Sequence, residues 1–508
     1  MNPLATTLHE LFADNLPDRA DACFLIDPDR NWTYGEVAVE VDRVAGWLLA
    51  HGVAPGDRVI VQLRKGMREV AAMLAVAKAG AVVVNVNIAF TAEQLAFVAQ
   101  DCSAAAMILS ATPVALPIPV LTSGDWFDLP PADIAAIPRL DSELAAIIYT
   151  SGSTGSPKGV MLSHRNILTG ARSVARYLGL RGDDRLLSIL PYSFDYGLNQ
   201  LTTMMLLGGT IVHQPLAMAT EILRTMQRHR VTGLAAVPPL WNQLVRLLDA
   251  APVALPHLRL ITNSGGKIPL NILERMPDLF PDTRIFLMYG LTEAFRSTYL
   301  DPDRLGAKMG SIGRAIPGAQ VYVIKAGVGI AGPDEPGELV HRGPLVSMGY
   351  WNRPDATAAK IRPCPELAAL IGDESVVYSG DIVKRDAEGD LWFIGRNDAL
   401  IKTSGFRVSP DEVEDLVHRS GMAADVVAFG MADDLLGECI HVAASLLPGA
   451  TQAALMAHCR KVMPAYMVPR TLHIWPDAMP RTSSGKLART DVVRRCSADI
   501  SFNAKGAT

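Results

Sequence analysis

Hydroxyls, glycines and one lysine are concentrated in a single stretch, Tyr149-Thr-Ser-Gly-Ser-Thr-Gly-Ser-Pro-Lys158-Gly-Val160. Such a segment can turn backbone N–H groups toward an anion, because glycine lets the backbone approach closely and lysine adds a point charge. The apolar run Leu144 to Ile148 before it reads as a buried strand. After it, Ile167, Leu168, Ala171, Val174, Ala175 and Leu178 have helical spacing. A loop between strand and helix would also aim a helix N-terminus at the bound group, and phosphate is the expected ligand. A Walker A loop needs Gly-Lys followed by Ser or Thr, whereas Lys158 stands in Pro-Lys-Gly, so a P-loop NTPase is not expected.

A second carboxylate-bearing stretch, Met288-Tyr-Gly-Leu-Thr-Glu-Ala294, closes a predicted strand, where open α/β sheets put their ligands. A carboxylate such as Glu293 beside a phosphate loop calls for a cation that makes the two anions compatible.

The elements that must position these residues are α/β in type. From Arg58 onward strand-like and helix-like segments alternate: strand Arg58 to Leu63, helix Met67 to Ala79, strand Ala81 to Val86. Thr91-Ala-Glu-Gln94 has capping-box spacing and opens a helix to Asp101, followed by strand Ala105 to Leu109. Prolines 113, 117, 119, 130, 131 and 138 then predict a surface connection without periodic structure. Alternation resumes through Arg185 to Leu190, Thr210 to His213, Leu234 to Val237, Leu258 to Thr262 and Arg284 to Met288. After Gly395 the pattern restarts on a smaller scale: helix Pro410 to Arg419, strands Asp425 to Gly430 and Ile440 to Leu447, helix Gln452 to Val462. The expectation is a large N-terminal domain of mostly parallel βα sheets, residues 1–395, and a small mobile α+β domain, residues 396–508.

The chain of 508 residues is too long for one core, and its 49% apolar and 19% charged residues suit a globular enzyme. A net charge of −5 gives no electrostatic reason to expect nucleic acid. The six cysteines lack any C-x-x-C pair or metal-like cluster, so reduced structural thiols are expected. Glu10, Asp14 and Asp18 interrupt the N-terminal segment, which is not that of a signal peptide, and no apolar run approaches the ~18 residues needed to span a bilayer. A cytoplasmic location is expected.

The stretch Tyr149 to Val160 resembles, nearly letter for letter, the phosphate loop of the AMP-forming adenylating enzymes: acyl-CoA synthetases, adenylation domains of nonribosomal peptide synthetases, and luciferases. Further signatures follow in order. The resemblance implies that Thr150, Ser151, Gly152, Ser153, Thr154 and Lys158 hold ATP phosphates, that Tyr289 lies against adenine, that Thr292 bonds the α-phosphate and that Glu293 helps to hold Mg²⁺. Gly265 and Gly266, in Ser264-Gly-Gly266, resemble the loop lining the other adenine face. Tyr378-Ser-Gly-Asp381 departs from the usual Tyr-x-Thr-Gly-Asp by Ser379 and by one residue fewer, yet Asp381 keeps the two acceptor oxygens that ribose hydroxyls need. Arg396 would also reach ribose. Asp398 matches the hinge about which the small domain swings between an adenylating and a thioester-forming pose, and Lys402 and Gly405 would belong to the face presented in the second pose. Pro480-Arg-Thr-Ser-Ser-Gly-Lys486-Leu-Ala-Arg489 completes the set, with Lys486 on the substrate carboxylate and α-phosphate.

The implied chemistry is activation of a carboxylic acid as acyl-adenylate with release of pyrophosphate, then transfer to the thiol of CoA or of a phosphopantetheinyl carrier protein. No carrier segment follows Thr508, so a carrier is expected to act in trans. Asp195, in Pro191-Tyr-Ser-Phe-Asp-Tyr-Gly-Leu-Asn199, matches the aspartate with which peptide-synthetase domains pair a substrate ammonium, so an amino acid is favoured over a fatty or aryl acid. Asn199, Asn263, Met288 and Arg296 fall where those domains line the side-chain pocket. A buried carboxylate needs a cationic partner, a substrate amine or a protein cation; Arg296 could neutralise Asp195 within the protein or, as readily, bind an acidic or polar group of the substrate. A non-catalytic nucleotide-binding relative is the reading from another class, and the presence of Lys486, Glu293 and Asp381 speaks against it. In wording the chain is closest to AMP-forming ligases encoded beside exosortase systems.

Overall fold

The structure, a computed structural model, describes residues 5–111, 117–150, 157–215, 218–397, 399–403, 406–433, 436–482 and 484–505. Its larger part is built on two mostly parallel sheets. One runs, in spatial order, Val120–Thr122, Ala104–Leu109, Arg58–Gln62, Val82–Asn85, Leu144–Thr150, Lys158–Ser163. The other, nine-stranded, has the parallel core Arg284–Tyr289, Leu260–Asn263, Gly233–Ala236, Arg185–Ser188, Thr210–His213, Cys23–Ile26, with antiparallel strands at both edges. The strands are continuous apolar runs because helices cover both faces of such sheets.

The helix Met67–Lys78 is buried from Met67 to Ala77 at nearly every position, and its run Ala71-Ala-Met-Leu-Ala-Val-Ala77 is apolar all round, as a helix packed between layers must be. The capping box at Thr91 forms: its side chain accepts from Gln94 N and the Gln94 side chain accepts from Thr91 N. All six cysteines are free thiols, and all but the half-buried Cys23 are buried.

Two sequence expectations are corrected. The proline-rich connection carries a short parallel strand, Val120–Thr122, on Met107–Leu109, and a fully buried Trp126 whose indole N–H donates to Glu40 at 2.8 Å. A tryptophan and a strand-sized apolar triplet find a surface to cover even where prolines forbid regular periodicity. Second, a strand, Lys158–Ser163, antiparallel to Leu144–Thr150, stands between the glycine-rich stretch and the helix, which starts at His164, where the helical spacing puts it, with Ser163 as its N-cap. The glycine-rich stretch therefore falls between two paired strands rather than between a strand and a helix. The apolar triplet Val160-Met-Leu162 belongs to the hairpin because pairing satisfies its backbone.

Residues 320–396 form an antiparallel sheet: Gly329–Ile330, Gln320–Lys325, Pro336–Arg342, Ser375–Arg385 and Ile361–Pro363 in order, with Leu391–Arg396 also paired to Ser375–Arg385. A last sheet holds Phe406–Val408, Ile401–Thr403, Gly437–Leu446 and Ala423–Asp433, with Thr471–Ile474 parallel to Gly437–Leu446. Helices Pro410–His418 and Gln452–Val462 pack on it around Val413, Val417, Leu455 and Cys459. No helix among the described residues is long and apolar enough to cross a membrane.

Candidate active site

The site lies where the carboxyl ends of the strands Leu260–Asn263 and Arg284–Tyr289 meet the sheet 320–396 and the C-terminal segment. Lys486 reaches it from the far end of the chain. A Cβ on Gly265, which stands at φ +80, would come within 2.7 Å of Lys486 Cε and 3.3 Å of its Nζ, so the lysine stem lies directly on the glycine backbone. The ammonium is 5.0 Å from the centroid of the Phe194 ring. Burial lowers the Lys486 pKa from the ordinary lysine value, against the attraction of Asp195.

Three contacts hold the C-terminal segment against the larger part beside this lysine: an ion pair between Lys267 and Asp415, Asn242 Nδ2 donating to Ala424 O at 2.7 Å, and Arg246 Nη2 donating to Ala423 O at 3.0 Å. Asn263 Nδ2 donates to Gly266 O at 2.9 Å and shapes the Ser264-Gly-Gly266 turn.

Asp195 opens the helix Asp195–Leu207, and Arg296 Nη1 lies 3.1 Å from its Oδ2, with both side chains buried. Arg296 also donates to Phe295 O at 2.9 Å and to Asp195 O at 3.3 Å. The arginine is aimed by Phe295, which adopts φ +52, a conformation costly for a bulky residue, and whose ring packs where Gly170 has no Cβ. Burial raises the Asp195 pKa, and Arg296, then Lys486, oppose that rise. Of the two partners left open by the sequence, the chain's own arginine is therefore in place, and Asp195 does not require a substrate ammonium.

Tyr289, at the end of its strand, donates its hydroxyl to Asp381 Oδ2. Asp381 sits opposite Arg396 across the strand pair, its N–H on Ser379 Oγ at 3.0 Å, and Gly380 (φ +78) lets the strand kink at the site. Thr292 and Glu293 lie on the short turn Thr292–Ala294, and Tyr350 donates its hydroxyl to Glu293. Thr150 pairs with Lys158 across the hairpin, and Lys158 Nζ is 5.7 Å from the Tyr350 ring centroid. Ser151, Gly152, Ser153, Thr154, Gly405 and Asp398, the residue expected to be the hinge, lie outside the described residues. Lys402 is exposed on Ile401–Thr403, and its backbone N–H donates to Glu438 Oε2 at 2.5 Å.

An apolar cavity of ≈ 20 Å³ lies beyond Asp195, walled by Leu186, Leu234, Leu260, Tyr196, Asn199 and Met288. Met288 is held by Tyr177, whose hydroxyl is 2.9 Å from its sulfur, and Asn199 Nδ2 has no hydrogen-bond partner among the described residues. Tyr350 is the residue that sequence reasoning passed over. Its place in Gly349-Tyr-Trp-Asn-Arg353-Pro354, a turn-rich aromatic segment, was the available signal.

Glycine turn, carboxylates and late lysine thus converge from opposite ends of the chain. A model described as AMP-binding enzyme matches residues 12–351, and one for the AMP-binding enzyme C-terminal domain matches residues 412–486. The chain belongs to the AMP-binding enzymes. It is 31% identical to novobiocin biosynthesis protein H of Streptomyces niveus, over 96% of this chain and 82% of that one. It is also 30% identical to two linear gramicidin synthase polypeptides of Brevibacillus parabrevis over 96% of its own length, but spans only 6% of one and 10% of the other. Among solved structures it is similar to the o-succinylbenzoate CoA synthetase of Bacillus subtilis in complex with its acyl-adenylate, with TM-score 0.85 and 26% identity over 96% of this chain and 97% of that one. That synthetase is also solved with ATP and a magnesium ion. Adenylate-forming acid–thiol ligases of both the amino-acid and the CoA kind are thus among the relatives of this AMP-binding enzyme.

Proposed function

We propose that this protein activates a carboxylic acid with ATP and transfers the acyl group to a phosphopantetheine thiol, of CoA or of a carrier protein. The observation that carries the reading is Lys486 lying on the Gly265 turn beside the Asp195–Arg296 pair, a half-buried cation at the place where a carboxylate and a phosphate would meet. Tyr289 would flank adenine, and Asp381 with Arg396 would take the ribose, the carboxylate exchanging its Tyr289 hydrogen bond for sugar hydroxyls. Thr150, Ser151, Gly152, Ser153, Thr154 and Lys158 would hold the β- and γ-phosphates, and Thr292 the α-phosphate. Glu293 would be the protein carboxylate on a Mg²⁺ held largely by the nucleotide phosphates. When bound, that Mg²⁺ would supply charge neutralisation on the phosphates.

An acid oxygen attacks the α-phosphorus in line, the bond to the bridging oxygen breaks and pyrophosphate leaves. Lys486 holds the incoming carboxylate and the developing charge, a positioned donor of the kind worth about 100- to 1,000-fold in rate. The thiolate then attacks the acyl carbon and AMP leaves. This second step uses the pose in which residues 396–508 have swung about Asp398 to present Lys402 and Gly405.

For the acid itself, the Asp195–Arg296 ion pair supports a substrate without an α-ammonium, since the carboxylate is neutralised within the protein. The amino-acid reading is favoured by the peptide-synthetase relatives. Pyrophosphate exchange across a panel of amino, aryl and short aliphatic acids separates the two. Plain acids should be activated best, and Asp195→Ala should depress amino and des-amino analogues alike. An amino acid preferred in the wild type, with its KM raised by Asp195→Ala and that of the des-amino analogue unchanged, would restore the amino-acid assignment.

A further inference from the structure

A chain of buried polar side chains crosses the carboxyl ends of three adjacent parallel strands next to the acid site. Lys65 Nζ donates to Ser188 Oγ at 2.9 Å, Ser188 Oγ donates to the Tyr192 hydroxyl at 3.3 Å, and Tyr192 donates to His213 Nε2 at 2.7 Å. His213 Nδ1 lies 2.6 Å from Asp27 Oδ1, and Asp27 Oδ2 accepts from Trp32 Nε1 at 3.1 Å and from Met67 N at 3.0 Å. Ser188 and His213 end their strands and face each other in register, and Asp27 follows the neighbouring strand Cys23–Ile26. Ser188, Tyr192 and His213 are buried.

The direction of every bond is set by the two ends. An ammonium only donates and a carboxylate only accepts. Asp27 therefore requires the proton on His213 Nδ1. Burial lowers the His213 pKa, so the ring is neutral and Nε2 carries a lone pair that only a hydroxyl proton can fill. Tyr192 supplies it and is left to accept from Ser188, whose own hydrogen-bonding is completed by Lys65. No reversed arrangement satisfies all five groups. Lys65 adds a second hold, its ammonium lying 3.6 Å from the centroid of the Tyr192 ring.

Tyr192 belongs to the segment that turns into Phe194, which flanks Lys486, and Asp195. The turn has no slack, because a Cβ on Gly197 would come 2.2 Å from Pro191 O. Displacement of Tyr192 is thus passed to the first turn of the helix Asp195–Leu207. We infer that Lys65, Ser188, Tyr192, His213 and Asp27 are positioning residues that fix the acid-binding turn 191–195 relative to the sheet ends. The inference rests on the proposed role of that turn in receiving the acid.

The test uses the full-length protein, the best acid from the panel and pyrophosphate exchange. Tyr192→Phe keeps the ring and removes only the hydroxyl; Ser188→Ala breaks the chain one link earlier. Each should raise the KM for the acid about 5- to 10-fold, the loss of roughly one buried hydrogen bond. The KM for ATP should stay within about twofold, because the nucleotide groups are on other elements. The double variant should cost little more than Tyr192→Phe alone, since both interrupt one network. Additive losses, parallel rises in both KM values, or a lowered melting temperature with both KM values unchanged would overturn the inference. A wild-type protein that exchanges pyrophosphate with no acid would overturn instead the functional reading beneath it.

Discussion

Gly265→Ala probes the contact on which the site assignment turns. The new methyl would sit 2.7 Å from Lys486 Cε and 3.3 Å from Nζ. Restoring an ordinary carbon–carbon separation of about 3.5–4.0 Å moves the lysine head by roughly 1 Å. A misplacement of about that size at a reacting centre can cost on the order of 100-fold. The glycine also stands at φ +80, where an L-residue costs about 1–2 kcal/mol, enough to lower the melting temperature by only a few degrees. Acid-dependent ATP/pyrophosphate exchange should therefore fall by about 100-fold, while thioester formation from supplied acyl-adenylate should be spared, because in the proposed second pose Lys486 is away from the site. Both half-reactions are measured on the same preparation, with thermal melting as the control for folding. Equal losses in the two half-reactions, or an unchanged exchange rate, would refute the placement of Lys486 in the adenylating pose.

Lys486→Ala should abolish exchange more completely than Gly265→Ala and leave the thioester half-reaction largely intact; stopped assays of each half resolve this. The half-exposed Lys267–Asp415 pair helps to hold the adenylating pose, so Lys267→Ala should shift the balance toward the other pose and lower exchange by about two- to fivefold, an effect that high salt should reproduce in the wild type. Burial holds His9, His164, His341, His418 and His441 down to about 4, against 6.5 for a free histidine. Between those values the unfolded chain binds more protons than the folded one. Stability from these groups is thus fully present above 6.5 and lost as pH falls toward 4, and melting temperatures across that window should decline with acidity.

The βα part of the fold is legible because parallel strands buried on both faces are continuous apolar runs. Arg58–Gln62, Thr210–His213 and Arg284–Tyr289 stand within a residue or so of where their patterns end. The antiparallel sheet 320–396 is less so: Gln320–Lys325 and Pro336–Arg342 are half-exposed, carry polar residues and turn every few positions. The hairpin strand Lys158–Ser163 was not legible because its apolar triplet is too short to show a period, and only the partner Leu144–Thr150 makes it a strand. Lys65, Asp27 and His213 are single polar residues at strand ends, individually ordinary, and their meaning comes from facing one another.

By itself the sequence determined which chemical groups are present and in what order: a hydroxyl-rich loop with Lys158, Thr292 beside Glu293, Asp381, and Lys486 in a complete late signature. Those are properties of local segments, where residue type and spacing decide what a turn or strand end can hold. Tertiary structure alone decided the pairings. Asp195 and Arg296 are 101 positions apart, and the chain's own packing, with Phe295 seated against Gly170, brings the arginine rather than leaving the carboxylate for a ligand. Lys486 and Gly265 are far apart in the chain, and only the packing of the C-terminal segment beside the sheet ends brings them together. Charge partners are set by distance in space and by the cost of burying an unpaired ion, neither of which a linear pattern encodes.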